Sequence, residues 1–96
     1  MPAYIICTIT VTDPSQYQKY VELAGPVVRR NGGDFLVRGE VPEVLEGHWD
    51  GQRIVVARFE SAQAARRSYH SPEYQAARSH RLLASSFNAV LVDSPG

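Results

Sequence analysis

Residues 3–11, AYIICTITV, read as a β-strand with bulk on both of its faces. Alternation puts Ala3, Ile5, Cys7, Ile9 and Val11 on one side and Tyr4, Ile6, Thr8 and Thr10 on the other. The stretch 52–59, QRIVVARF, repeats the pattern, with Val55, Ala57 and Phe59 opposed to Ile54, Val56 and Arg58. So does FNAVLV, 87–92, with Phe87, Ala89 and Leu91 opposed to Asn88, Val90 and Val92. A sheet of such strands needs cover on two sides. Helices cover one side of a layered fold, and a second copy packing sheet to sheet in a two-fold dimer would cover the other.

The segments between these strands supply the helices. Asp13 is a candidate N-cap and Pro14 suits the first helical position. Tyr17, Tyr20, Val21, Ala24, Val27 and Val28 then recur on one helical face. Pro26 should kink or restart that helix, and Asn31-Gly32-Gly33 should end it. DFLVRG, 34–39, reads as a second strand, with a bulge or break at Gly39 and Pro42. VLEGHW, 44–49, reads as its continuation, turning through Asp50-Gly51 into the third strand. Ser61 caps a short helix, SAQAARRSYH. Ser71 caps another, SPEYQAARSHRLLASS, with Pro72 in its first turn. The tail DSPG should fray.

Strand, helix, strand, strand, helix, strand is the order of an α+β sandwich: a four-stranded antiparallel sheet with helices on one face. The 96 residues fit one domain, 1–96. Ten basic and ten acidic residues cancel, which argues against nucleic acid or an anionic membrane as partner. Nine of the basic residues are arginine, the cation suited to bidentate anion binding. There is no secretory leader pattern and no apolar run approaching the roughly 20 residues that span a bilayer, so a cytoplasmic location is expected. Cys7, the only cysteine, lies inside a strand and reads as an inert core thiol.

Two clusters carry candidate chemistry. With Asp50-Gly51 as a two-residue turn, His48 faces Arg53 and Glu46 faces Val55, so Glu46, His48 and Arg53 share one face. Acid, imidazole and guanidinium together could orient a small anion or transfer a proton. The plainer alternative is a cross-strand ion pair beside a surface histidine. In YHSPEYQAARSHR, 69–81, helical spacing places Tyr74, Arg78 and Arg81 on one side, with His70 near the break before them. Tyr69 and Tyr74 could line a pocket between helix and sheet. The plainer alternative has the tyrosines packing the helix while hydroxyls and arginines reach water. His70 and His80 lie ten apart without an acid to complete a metal triad, so no metal is expected. No phosphate loop, nucleophile elbow or zinc-protease helix is present, and no cofactor is expected.

The run GGDFLVRGEVPEVLEGHWDGQRIVVARF followed by SAQAARRSYHSPEYQAAR resembles the small bacterial proteins grouped as domain of unknown function 1330. These belong to the dimeric α/β-barrel superfamily of ferredoxin-like folds. The resemblance rests on Gly33 with Leu36-Val37-Arg38-Gly39, on Leu45-Glu46-Gly47 with Trp49 and Arg53, and on Tyr69 with Ser71-Pro72-Glu73-Tyr74-Gln75. It implies the ferredoxin-like sandwich, with the first and third strands central, and the sheet-to-sheet dimer. It supplies no reaction. The chain departs from the family pattern where Arg58, His48 and His70 stand for acids and Ser68 for a common tryptophan. The superfamily includes cofactor-free monooxygenases and haem-degrading enzymes, but the first-strand asparagine of the haem-degrading members is absent here.

The expectation is a cytoplasmic homodimer binding a small, partly apolar or anionic metabolite between helices and sheet. Arg38, Glu46, Arg53, Tyr69 and Tyr74 are the candidate ligand contacts. His48 and His70 are the candidate proton-transfer groups, and cofactor-free oxygenation is a variant. The competing class is a non-catalytic interaction module whose apolar sheet face serves dimerisation.

Overall fold

A computed structural model describes residues 1–94. Its elements are β1 (Ala3–Val11), α1 (Pro14–Arg30), β2 (Asp34–Glu40), β3 (Arg53–Phe59), α2 (Ala62–His70), α3 (Pro72–Arg78) and β4 (Ser85–Asp93). The sheet is antiparallel, in the order β2-β3-β1-β4. The two most apolar strands are therefore central, as the ferredoxin-like arrangement requires. Their register pairs Ile5 with Ala57 and Leu91, and Cys7 with Val55 and Ala89, which places all six on one face. The helices cover that face.

The local signals for α1 act as read. Asp13 accepts from the Gln16 amide at 3.2 Å, and Pro14 opens the helix. At the other end the Gly33 amide donates to the Val28 carbonyl, with Gly32 at φ 87°. Pro26 neither breaks nor restarts the helix, which continues to Arg30 with Pro26 on its exposed side. Tyr17, Tyr20, Ala24 and Val27 are buried against Cys7 and Ile9.

Three expectations need correction. First, 44–49 is not a strand. β2 ends at Glu40, and an irregular loop over 41–52 carries the chain to β3. β2 reaches β3 through two register shifts, between Phe35 and Val37 and between Arg38 and Glu40. Those shifts pair Arg38 with Val55 and Glu40 with Ile54, taking the partners assigned to 44–49. Second, the helix begun at Ser71 stops at Arg78, and turns over 79–84 lead into a β4 that starts two residues early, at Ser85. Third, Asp93 belongs to β4 and the Ser94 amide donates to the Pro2 carbonyl at 2.9 Å, so the start of the tail is held. Its last two residues, 95–96, lie outside the described residues.

The chain forms a slab of 35 × 33 × 15 Å. The sheet face away from the helices carries Tyr4, Ile6, Ile54, Val56, Val90 and Val92, and Val90 and Val92 are 57% and 44% exposed. No helix among the described residues is long and apolar enough to cross a membrane.

Candidate functional site

A cavity of about 310 Å³ lies between α1 and the covered sheet face. Its floor is sheet: Ile5, Cys7, Ile9, Val55, Ala57, Phe87 and Ala89. Small residues on α1, Ala24 and Gly25, leave room above that floor. Ser68 contributes likewise from α2, being almost fully buried where the family resemblance leads one to expect tryptophan. A hydroxymethyl group there leaves space that an indole would take.

Four of the seven residues singled out from sequence line this cavity: Arg38, Arg53, Tyr69 and Tyr74. The two arginines stand at its exposed rim. Arg38 is held over the Phe35 ring, 5.1 Å from its centre. The Arg53 side chain runs beside Gly39, where a Cβ would lie 3.9 Å from Arg53 Cδ. Tyr69 and Tyr74 are tilted against one another with ring centres 5.2 Å apart. Tyr74 is buried, and its position follows from the α2–α3 junction. Ser71 Oγ accepts from the Tyr74 amide at 3.2 Å and donates to the Ser68 carbonyl at 2.8 Å.

The other three residues are elsewhere. Glu46 and His48 are exposed in the 41–52 loop. His48 faces only Asp50, Nε2 to Oδ1 3.8 Å, with both side chains more than nine-tenths exposed. The expected grouping of Glu46, His48 and Arg53 needed 44–49 paired with β3, and that pairing is occupied by β2. His70 lies edge-on to Tyr69 and lines a second cleft, of about 370 Å³, which shares Ile5, Tyr69 and Ala89 with the first. Neither His48 nor His70 lines the cavity beneath α1. His80 bridges to α1, with its Nδ1 3.1 Å from Gln16 Nε2. Among the described residues, no three His, Cys, Asp or Glu side chains gather as metal ligands. Arg58 pairs in register with Tyr4 and Asp34 on the opposite, open face.

Sequence reading missed the inner wall. Tyr17 and Tyr20 pack with ring centres 5.5 Å apart, and Tyr20 stands edge-on to both Tyr74 and Phe87. The Tyr20 and Tyr74 hydroxyls hydrogen-bond at 2.8 Å. Arg81, just past α3, is 4% exposed and lies flat on Phe87, 3.6 Å from the ring centre. Helical spacing had put Arg81 on the side of Tyr74. What the plainer reading got wrong was the guanidinium: it stays on the buried side with Tyr74 and packs on Phe87 instead of reaching water.

The electrostatics follow from burial. Desolvation pushes the Cys7 thiol up to about 11, with Arg81 pulling weakly the other way. Desolvation also raises Tyr17 to about 12, and raises Tyr20 further still with help from Tyr74. For Arg81 burial opposes the charge, and the Tyr74 and Tyr20 hydroxyls outweigh it. At neutral pH the lining thus presents the protonated Tyr17 and Tyr20 phenols and Cys7 thiol, with the Arg38 and Arg53 guanidinium groups at its rim. Among the described residues, no carboxylate or imidazole side chain lines the cavity. It is a site of donors and cations, suited to receive an oxygen anion or carbonyl on an apolar body.

The fold is shared with solved structures at low identity. One is a protein of unknown function from Rhodopseudomonas palustris, with TM-score 0.77 and 20% identity, covering 99% of this chain and 83% of that one. Another is SnoaB, a cofactor-independent oxygenase from Streptomyces nogalater, with TM-score 0.66 and 15% identity over 99% and 94%. A third is a dimeric ferredoxin-like protein of unknown function from Jannaschia sp. CCS1, with TM-score 0.70 and 11% identity over 98% and 100%. No curated protein matches the chain. The family pattern read in the sequence runs through the rim arginine on β2, the Ser71-Pro72 junction and the tyrosines it positions, and the chain belongs to the family described as domain of unknown function (DUF1330), whose model matches residues 2–95.

Proposed function

We propose that the protein is a homodimer that binds a small, flat, partly apolar anion in the cavity beneath α1. The observation that carries this reading is the composition of the lining: an apolar sheet floor, phenols on the walls, and Arg38 and Arg53 at the rim with no acid among them. A cavity of about 310 Å³ is at the small end of ligand pockets, which run from roughly 300 to 1,000 Å³. The ligand's apolar body lies on Val55 and Ala57, and its charge meets the rim arginines.

The dimer is proposed from surface. A compact monomer of 10.7 kDa exposes about 5,500 Å², whereas this chain exposes 6126 Å². The open sheet face is broad and apolar, and a standard interface removes about 800 Å² per partner. The dimeric neighbour from Jannaschia shares the fold.

Enzymatic proton transfer by His48 or His70 has little support, since neither borders the cavity. Cofactor-free oxygenation is supported only by the fold shared with SnoaB. The test is a benzoate titration followed by amide NMR. Shifts should cluster at Gly25, Ala57 and Ser68 and weaken about tenfold in Arg53→Ala, the effect of one charge-assisted contact. Saturable binding elsewhere, or none, would overturn the proposal.

A further inference from the structure

The Tyr20 and Tyr74 hydroxyls lie 2.8 Å apart, and both residues line the cavity. Two hydroxyls carry two protons. One proton makes the bond between them, since either oxygen can be the donor. The other has no acceptor among the described residues: the further partner of the two hydroxyls is Arg81, whose guanidinium only donates. Beside the pair lies Arg81, 5.3 Å from the Tyr20 ring centre, buried, with its Nε unpartnered. No carboxylate lies within ion-pair distance of it among the described residues. A buried cation without a counter-ion is costly, and a buried hydroxyl proton without an acceptor leaves a donor unused.

The geometry points to a second, inner recognition point: the unspent Tyr20–Tyr74 hydroxyl proton, backed by the Arg81 guanidinium, donates to an oxygen at the buried end of the ligand. This deepens the binding reading above and rests on it. The ligand class is then narrower. It is a flat ring or conjugated chain with an anionic group at the Arg38 and Arg53 rim and a phenolate, enolate or conjugated carbonyl oxygen at the inner end. Hydroxyl donors next to a fixed positive charge favour an oxygen bearing negative charge over a neutral one. Arg81 acts through the hydroxyls and is a positioning residue.

The probe is para-nitrophenol, whose visible phenolate band reports its ionisation, compared with nitrobenzene, which lacks the oxygen. Bound to the wild-type protein, nitrophenol should ionise about one pH unit or more below its value in water. It should bind at least about tenfold more tightly than nitrobenzene. In the double variant Tyr20→Phe/Tyr74→Phe both the ionisation shift and the affinity gap should vanish, while nitrobenzene affinity persists as the check that the cavity is intact. Arg81→Met should remove the ionisation shift and leave nitrobenzene binding in place. Should the variants not fold, the wild-type ionisation curve decides alone. Equal affinity for the two probes with ionisation as in water would overturn the inner donor and leave the binding cavity standing. Failure of the wild-type protein to bind either probe would overturn both.

Discussion

Gly33 lies where β2 begins beneath α1, and a Cβ there would sit 2.6 Å from Val28 Cγ1 and 2.8 Å from the Phe59 ring. Phe59 is fully buried, so making room for a methyl means shifting a packed core ring. Gly33→Ala should therefore cost about 1–3 kcal/mol, read as a lower urea midpoint with unchanged slope. An unchanged midpoint would show that the core yields. Cys7 gives a pH-dependent expectation. Its thiol ionises at about 11 in the folded protein against 9.0 as the ordinary value. The unfolded chain therefore loses its proton first on going alkaline, and stability falls as pH rises through that window. The loss attributable to Cys7 is of order 2 kcal/mol. Cys7→Val should lose less stability than wild type between about pH 8 and pH 10.5, and parallel losses would refute the assignment. The burial of Cys7 was legible from its place in an apolar strand. The burial of Arg81 was not: spacing put it on the Tyr74 side, but a long cation is expected to reach water, and here it packs on Phe87 instead.

At the scale of elements, the helices and central strands followed from caps and alternation, because each signal is local. The β2–β3 connection did not. Asp50-Gly51 reads as a tight hairpin turn, and 44–49 alternates plausibly enough to be its arm. Yet two bulges let the 34–40 segment take the β3 register, and pairing is a competition between segments that local pattern does not rank. Gly51 serves a different end: at φ 105° it brings the loop against β1, with a Cβ there 3.2 Å from Thr8 Cβ, and the Gln52 amide donates to the Ile9 carbonyl. The loss of that hairpin removed Glu46 and His48 from the candidate site. His48→Ala should accordingly leave benzoate affinity unchanged, and a severalfold loss by the same NMR titration would return the loop to the site. In α1, Gly25 has only Arg29 Nη1 near its Cβ position, at 3.5 Å. Gly25→Ala should thus stabilise the fold by about 0.5–1 kcal/mol through helix propensity. Ligand binding should weaken at the same time, because the added methyl enters the cavity. A variant no more stable than wild type in urea would contradict this.

For the whole molecule, the two-faced strands that first constrained the reading leave one face covered by helices and one open. Val90, in the middle of the open face of β4, is 57% exposed, so Val90→Lys should leave the isolated fold within about 0.5 kcal/mol of wild type. In a sheet-to-sheet dimer the same lysine would be buried in the interface and should dissociate the pair, seen as a halved mass in sedimentation equilibrium. The cavity and the open face lie on opposite sides of one sheet, so occupancy and assembly can be read separately on one sample. Native mass spectrometry of protein purified from its own cells does so most directly. The account predicts a two-chain species carrying a small-molecule adduct, and loss of the adduct alone in Val21→Trp, which fills the cavity from its partly exposed rim. A one-chain species without adduct would contradict it.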